Sequence, residues 1–192
     1  MIHRTFIRIP PSRVGVLIGK AGSVKQRIES EFGVKLHIDG DSGGVEIVLD
    51  EGSKPVSDMI TAKNIVYAIG LGFSPEKAFS LAKEDALFEV IDLEKDLGVE
   101  GAHVERLLGR VIGRDGKIRS LIEELTGCYV SVSDELRTIA VIGFGEGFDV
   151  ARQAIRMLLE GKQHSTVFKY LFRERRRIKR MEFEFWRTPE LG

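Results

Sequence analysis

The chain has 192 residues, of which 43% are hydrophobic and 30% are charged, and its formal net charge is zero. It holds no run of about 18 uncharged apolar residues and no apolar signal core near its start, which excludes a transmembrane helix and favours a cytoplasmic protein. One cysteine and four scattered histidines argue against a disulfide and a zinc site, and we expect neither a metal nor a cofactor.

The charges are distributed unevenly along the chain. Residues 83–100 carry two basic and seven acidic side chains, whereas residues 161–192 carry nine basic and four acidic ones. A neutral total is therefore compatible with a basic surface that attracts an anionic partner. One asparagine and three glutamines occur beside many charged residues, a balance that favours a heat-adapted source.

The first part of the chain predicts a small unit of strands and helices. Val24, Ile28 and Phe32 form one face of a helix, and Gly33 follows where a left-handed residue ends a helix. A glycine loop separates this helix from a shorter one before it. The predicted strands are residues 5–9, 34–38 and 45–49, and the last predicted helix covers residues 56–69.

A connector follows the first unit. Ser74 precedes Pro75, which is the order of an N-cap residue and a proline at the first helical position. A connector helix is therefore predicted over residues 75–81, and we place the domain boundary near residue 83.

The second part of the chain repeats the first with a shift of 94 residues and no gaps. Glycines recur at four fixed offsets, which are Gly15, Gly19, Gly22 and Gly33 in one copy and Gly109, Gly113, Gly116 and Gly127 in the other. An apolar helix face is formed by Ile118, Leu121, Ile122 and Leu125. The predicted strands are residues 88–93, 128–132 and 138–142, and the last helix covers residues 148–159. Each unit thus has the order β-α-α-β-β-α, which gives an α+β fold class.

The two glycine loops point to an anionic ligand. They read Gly19-Lys20-Ala21-Gly22 and Gly113-Arg114-Asp115-Gly116. A helix begins after each loop, so unpaired N–H groups and the positive end of the helix dipole face the loop, and a cation stands at the same place in both copies. Ile18 and Ile112 precede the loops and offer an apolar floor for a base. A P-loop needs four residues between its glycines and a Ser or Thr after the lysine, and neither copy has them.

The segments Leu17–Val24 (LIGKAGSV) and Val111–Ile118 (VIGRDGKI) resemble the signature of eukaryotic-type KH domains. This resemblance implies two tandem type I KH units that hold single-stranded RNA or DNA, with each GxxG loop clamping about four nucleotides by the backbone. The predicted RNA-binding residues are Ile18, Gly19, Lys20, Ala21, Gly22, Lys25, Arg110, Ile112, Gly113, Arg114, Asp115, Gly116 and Lys117. Asp115 adds a negative charge to the second loop, although basic side chains surround it.

The C-terminal segment has no counterpart in the repeat. Apolar side chains at 167, 168, 171 and 172 predict a helix that packs on the second domain, and six cations follow, which are Arg173, Arg175, Arg176, Arg177, Lys179 and Arg180. These cations either form a solvated face or bind phosphates without sequence preference. Phe183, Phe185 and Trp186 fit a packed or protein-binding tail, or stacking on bases.

We therefore predict residues 1–83 as the first KH domain with its connector helix, 84–163 as the second, and 164–192 as a basic helix and tail. The whole arrangement is similar to a KH family of archaeal and eukaryotic ribosome-assembly factors. That similarity implies binding near the 3′ end of small-subunit ribosomal RNA, with the 3′-end nuclease, the dimethylase or an initiation factor as partners. Two alternatives remain: another KH RNA factor, such as an exosome cap or a transcript or translation regulator, and a KH scaffold for proteins. No catalytic constellation is legible, so we expect no enzyme activity.

Overall fold

The computed structural model describes residues 3–49, 52 and 54–187, except the side chains of Trp186 and Arg187. The chain forms two compact units, Met1–Ala86 and Leu87–Gly192. Both have the predicted order of strands and helices, and the predicted α+β fold class is confirmed.

The first unit is a three-stranded sheet with helices packed on one face. Its elements are β1 (His3–Arg8), α1 (Pro11–Ile18), α2 (Ser23–Phe32), β2 (Val34–Ile38), β3 (Gly44–Leu49) and α3 (Val56–Gly70). The strands run antiparallel in the order β1-β3-β2, with Glu46 opposite both Phe6 and His37. Alternate strand residues such as Leu36 and Ile47 point into the core, where they are at most 1% exposed.

The predicted connector helix is split into two short pieces. Helix α4 (Pro75–Ala78) continues into a 3₁₀ turn at Phe79–Ala82. The Ser74 hydroxyl accepts a hydrogen bond from the backbone N–H of Lys77 at 3.5 Å, which confirms the predicted N-cap.

The second unit repeats the architecture and adds one helical turn. Its elements are β4 (Ala86–Asp92), α5 (Leu93–Leu97), α6 (Ala102–Ile112), α7 (Lys117–Thr126), β5 (Tyr129–Ser133), β6 (Thr138–Phe144) and α8 (Gly145–Leu159). The strand order is β4-β6-β5. Helix α5 was not predicted. The Asp92 carboxylate caps it by accepting hydrogen bonds from two backbone N–H groups, and Gly98 ends it at a φ of 65°.

Helix α8 begins three residues earlier than the sequence analysis predicts. Two glycines in its first turn made that segment resemble a loop. At Gly147 a Cβ atom would meet the carbonyl oxygen of Thr126, at the end of α7. The glycine therefore allows the two helices to approach closely.

Helix α9 (His164–Arg187) packs on α7 and α8. Val167 and Leu171 are fully buried, as predicted, whereas Phe172 is 44% exposed and does not belong to the packed face. The helix continues to Arg187, and its described end carries exposed Phe183 and Phe185. The predicted role of Trp186 falls on a side chain outside the described set.

Cys128 is buried and precedes β5 directly. Burial raises the pKa of its thiol, which is the behaviour of a small core residue. None of the helices in the described residues is long and apolar enough to cross a bilayer. Within the same residues, no three His, Cys, Asp or Glu side chains converge as they would around a metal ion.

Candidate nucleic-acid interface

The two glycine loops have the same backbone conformation. Gly19 and Gly113 have φ values of 74° and 72°, and both have ψ near 175°. The third loop residue is left-handed in each copy, with φ of 53° at Ala21 and 54° at Asp115. Two unrelated loops would not share this sequence of torsion angles, so the duplication extends to the local geometry.

Glycine is required at the first loop position for steric reasons. A Cβ atom on Gly19 would lie 2.8 Å from the backbone nitrogen of Val24, and one on Gly113 would collide with the Ile118 side chain. Gly22 and Gly116 are left-handed as well, with φ of 79° and 74°, yet a Cβ there would have room. The first glycine therefore permits a close approach, and the last one permits the turn.

Each loop places the positive end of a helix dipole at the surface. In the described structure, neither α2 nor α7 has a side-chain N-cap or an acidic residue in its first turn. The N–H groups of Ser23 and Lys117 donate to the Lys20 and Arg114 carbonyls, so it is the positive ends of the dipoles that face an anion at the loops. Lys20, Arg114 and Lys117 are exposed beside these N–H groups and pair with no acidic group among the described residues. Ala21 and Asp115 are also exposed, so the second loop combines an arginine and an aspartate.

The apolar floor is partly accessible. Ile18 is 37% exposed and Ile112 is half-buried, as a surface that receives a base requires. In the first turn of α2, the Nζ atom of Lys25 lies 3.9 Å from Oε1 of Glu29. Its counterpart after the shift of 94 residues is Arg119, whose Nε atom is buried without a hydrogen-bond partner among the described residues. Arg119 was not among the predicted site residues, although the shift of 94 residues makes it equivalent to Lys25.

A carboxylate on the second helix of each unit fixes the neighbouring strand. Glu29 Oε1 accepts a hydrogen bond from the backbone N–H of Leu36 at 2.9 Å, and Glu123 Oε1 accepts one from Val130 at 2.9 Å. The two pairs are related by the same shift of 94 residues. Glu123 thereby holds β5 against α7.

Arg110 has structural partners. Its Nε donates to the Leu158 carbonyl at 3.0 Å and its Nη2 to the Lys162 carbonyl at 2.5 Å, at and beyond the end of α8. Arg13 does the same in the first unit, with bonds of 2.8 and 2.7 Å to the Ile69 and Phe73 carbonyls around the end of α3. A role of Arg110 in RNA binding stays a prediction, and its observed contacts are those of a helix C-cap.

The six cations of α9 divide into two sets. The Nε atoms of Arg173 and Arg177 lie 2.9 and 2.7 Å from the carboxylate oxygens of Glu174. Arg177 Nη2 also lies 2.9 Å from Glu146 Oε2. Hydrogen bonds from Arg177 and Arg173 hold the pKa of Glu174 below its usual range. Arg175 donates to the Leu125 carbonyl at 3.3 Å. The exposed cations with no acidic partner among the described residues are Arg176, Lys179 and Arg180.

Residues 4–60 match the KH domain, and residues 87–176 match the eukaryotic-type KH domain, also called KH-domain type I. The chain is also 47% identical over 181 residues to a KH domain-containing protein of Methanocaldococcus jannaschii, a match that covers 94% of this chain and 78% of that protein. This chain belongs to the KH-domain family. The glycine loops described above are its GxxG loops, and the prediction of two tandem KH domains is confirmed.

The predicted similarity to ribosome-assembly factors is also confirmed. The pre-rRNA-processing protein PNO1 of Phaeosphaeria nodorum is 25% identical over 163 residues, which are 84% of this chain and 62% of that protein. Among solved structures, the complex of a/eIF2alpha, aDim2p and rRNA from Pyrococcus horikoshii contains a chain that superposes with a TM-score of 0.81 at 37% identity. This likeness covers 91% of the present chain and 95% of the other.

Proposed function

We propose that the protein binds single-stranded RNA through its two GxxG grooves, and that its RNA is the 3′ region of small-subunit ribosomal RNA. The observation that carries the proposal is the repeated loop. Both copies have the same backbone conformation, an exposed cation at the same position, and a following helix without a side-chain N-cap. Residues 1–83 and 84–163 each supply one groove. Two linked grooves raise the effective concentration of RNA at the second site once the first is filled.

The relatives support the choice of RNA. One is named for pre-rRNA processing, and another was solved in a complex with rRNA and a/eIF2alpha. We therefore propose that the protein works in the cytoplasm, with an initiation factor, the 3′-end nuclease or the dimethylase as partners. Its role is to bind and position RNA without turnover.

The described end of α9 supports an auxiliary role in RNA binding. Arg176, Lys179 and Arg180 are exposed and unpaired among the described residues, so they are free to contact phosphates. Arg173, Arg175 and Arg177 have partners within the protein and contribute less. We expect the three free cations to strengthen binding to all RNA sequences equally.

A binding titration tests the proposal. The ligand is single-stranded RNA from the 3′ region of archaeal small-subunit rRNA, with a shuffled RNA of the same composition as comparison. The variants are K20D/A21D in the first loop and R114D in the second, each of which leaves two aspartates between the glycines. The control is Arg156→Asp on the exposed side of α8, which makes the same charge change as R114D at a place away from the loops.

We expect each loop variant to weaken binding at least tenfold, while the control stays near the native affinity. Equal affinity for the shuffled RNA would retain the KH mechanism and reject the ribosomal assignment. Unchanged binding in both loop variants would reject the grooves as the RNA site. In that case, a loss of binding on replacing Arg176, Lys179 and Arg180 would assign the RNA to α9.

A further inference from the structure

A cavity of about 630 Å³ lies beside the second GxxG loop, between α7 and the first turn of α9. Its lining combines two kinds of side chain, namely the cations Arg114 and Lys117 and the ring or apolar groups of Ile118, Leu121, His164 and Phe168. A volume of this size falls in the usual range of small-ligand sites.

The walls of this cavity match the parts of a nucleotide. The His164 and Phe168 rings are nearly parallel, with centroids 6.3 Å apart and an interplanar angle of 15°. Phe168 and Leu121 are half-buried, so each leaves part of its apolar surface open to a base. Arg114 and Lys117 stand at the rim with no acidic partner among the described residues, which suits a phosphate. The combination of an aromatic ring, an apolar floor and two free cations is that of a site for single-stranded nucleic acid.

In the first KH unit, the position that corresponds to Leu121 is occupied by a cation in contact with an aromatic ring. The shift of 94 residues makes Arg27 the counterpart of Leu121. The Arg27 guanidinium carbon lies 3.7 Å from the ring centroid of Phe79, so the charged group covers that aromatic face. Arg27 is held there by Glu31, with Nε and Oε2 3.2 Å apart. In the second unit, leucine stands in place of this arginine, and Leu121 lines the open cavity together with the Phe168 ring of α9.

His164 adds a polar atom that the protein leaves unsatisfied. Its Nε2 is buried and has no hydrogen-bond partner among the described residues. A buried nitrogen without a partner costs free energy, which a ligand that supplies the partner recovers. His164 is the first residue of α9 and lines the cavity.

We propose that this cavity holds one additional nucleotide of the bound RNA, immediately outside the four nucleotides clamped by the second GxxG loop. Its base lies against Phe168 and Leu121, and its phosphate is bound by Arg114 and Lys117. This inference rests on the proposed function and assigns the second KH unit a longer footprint than the first. The occupant is RNA, because Arg114 belongs to the loop that binds the phosphates of the clamped strand and Lys117 follows that loop directly.

The test compares short and long RNAs in the full chain. Fluorescence anisotropy measures the affinity of four- and eight-nucleotide RNAs from the 3′ end of archaeal small-subunit rRNA. The variants are Phe168→Leu, which keeps apolar volume but removes the ring, Phe168→Tyr, which keeps the ring, and His164→Ala. The control is Phe172→Leu, one turn further along α9 and outside the cavity.

We expect Phe168→Leu to weaken binding of the eight-nucleotide RNA by about 5- to 20-fold, as the loss of one stacked base does. The four-nucleotide RNA should bind Phe168→Leu as it binds the native chain, and Phe168→Tyr should retain native affinity for both. Equal losses for both RNAs, or an equal loss in Phe172→Leu, would overturn the subsite, because either would report general damage to the unit.

The experiment can reject the additional nucleotide without rejecting the proposed function. If R114D abolishes binding while Phe168→Leu and His164→Ala leave the eight-nucleotide affinity unchanged, the groove stands and the additional nucleotide is rejected, which leaves a protein segment as the occupant. If R114D has no effect, the second groove is rejected together with the subsite, and if K20D/A21D has none either, the proposed function itself is wrong. A photo-reactive uridine placed one position outside the clamped segment should cross-link to α9, and a cross-link only to other elements would also reject the subsite.

Discussion

The carboxylate of Glu29 accepts a hydrogen bond from the backbone N–H of Leu36 at 2.9 Å, and Glu123 accepts the equivalent bond from Val130. Each bond joins the helix that follows the GxxG loop to the strand that pairs at the edge of the sheet. The relation is therefore structural, and it sets the distance between the helix and the strand in both units.

Glu123→Ala should destabilise the second unit by about 1–2 kcal/mol, since the Val130 N–H would lose its partner in a half-buried place. Urea denaturation followed by circular dichroism measures the change. The control is Glu124→Ala, because the side chain of Glu124 is exposed and makes no such bond. Equal stability of the two variants would mean that water replaces the carboxylate without cost.

Arg110→Ala and Arg13→Ala should each lower the melting temperature of the chain. Each arginine satisfies two carbonyls near the C-terminal end of a helix, and the loss of such paired bonds costs about 1–3 kcal/mol. Burial lowers the pKa of Arg13 from that of a free guanidinium, and the group still carries its charge at neutral pH. Arg13→Lys should recover only part of the loss, because a lysine cannot donate to two separated carbonyls from one fork.

RNA affinity distinguishes the role of Arg110 from that of Arg114. We expect Arg110→Ala to bind RNA within about twofold of the native chain at a temperature where it is folded, while Arg114→Ala binds several-fold more weakly. A larger loss in Arg110→Ala than in Arg114→Ala would show that Arg110 contacts the RNA as the sequence analysis predicts.

Asp115→Asn should strengthen RNA binding by about 2- to 5-fold at low salt, because it removes a negative charge from a phosphate-binding loop. Asparagine tolerates the left-handed conformation that the structure requires at φ of 54°, so the backbone is retained. The reverse change, Ala21→Asp, should weaken binding in the first unit. Titrations at 50 and 300 mM salt check both, and an effect that does not shrink with salt would contradict the electrostatic explanation.

The Cys128 thiol should react slowly with iodoacetamide in the native protein at pH 8 and rapidly in urea. The residue is 2% exposed, and burial raises the pKa of the thiol, so the reactive thiolate is rarer than in the unfolded chain. Since unfolding returns this pKa to its ordinary value, stability should fall as the pH rises above the pKa of the exposed thiol. Mass spectrometry of the labelled fraction measures the rate, and equal rates in both conditions would contradict the buried position.

The repeat and the glycine loops were predictable because both depend on local rules. Glycine spacing, helical periodicity and a C-terminal glycine such as Gly127 are visible in the sequence alone. Helix α5 was not predicted because five residues are too few to show a helical periodicity. The hydrogen bonds that Arg13, Arg110 and Glu123 make with backbone groups join residues that only packing brings together. No local sequence pattern predicts them. The cavity at Phe168 likewise depends on where α9 folds back onto α7.

The hydrogen bond between each helix carboxylate and its edge strand has a further consequence, which concerns the behaviour of the protein in a crowded solution. β2 and β5 end their sheets and would otherwise offer open N–H groups to a strand from another molecule. Glu29 and Glu123 each occupy one of these donors and interrupt the row that a foreign strand would need. The bonds that hold each helix to its edge strand therefore also protect the sheets against edge-to-edge aggregation.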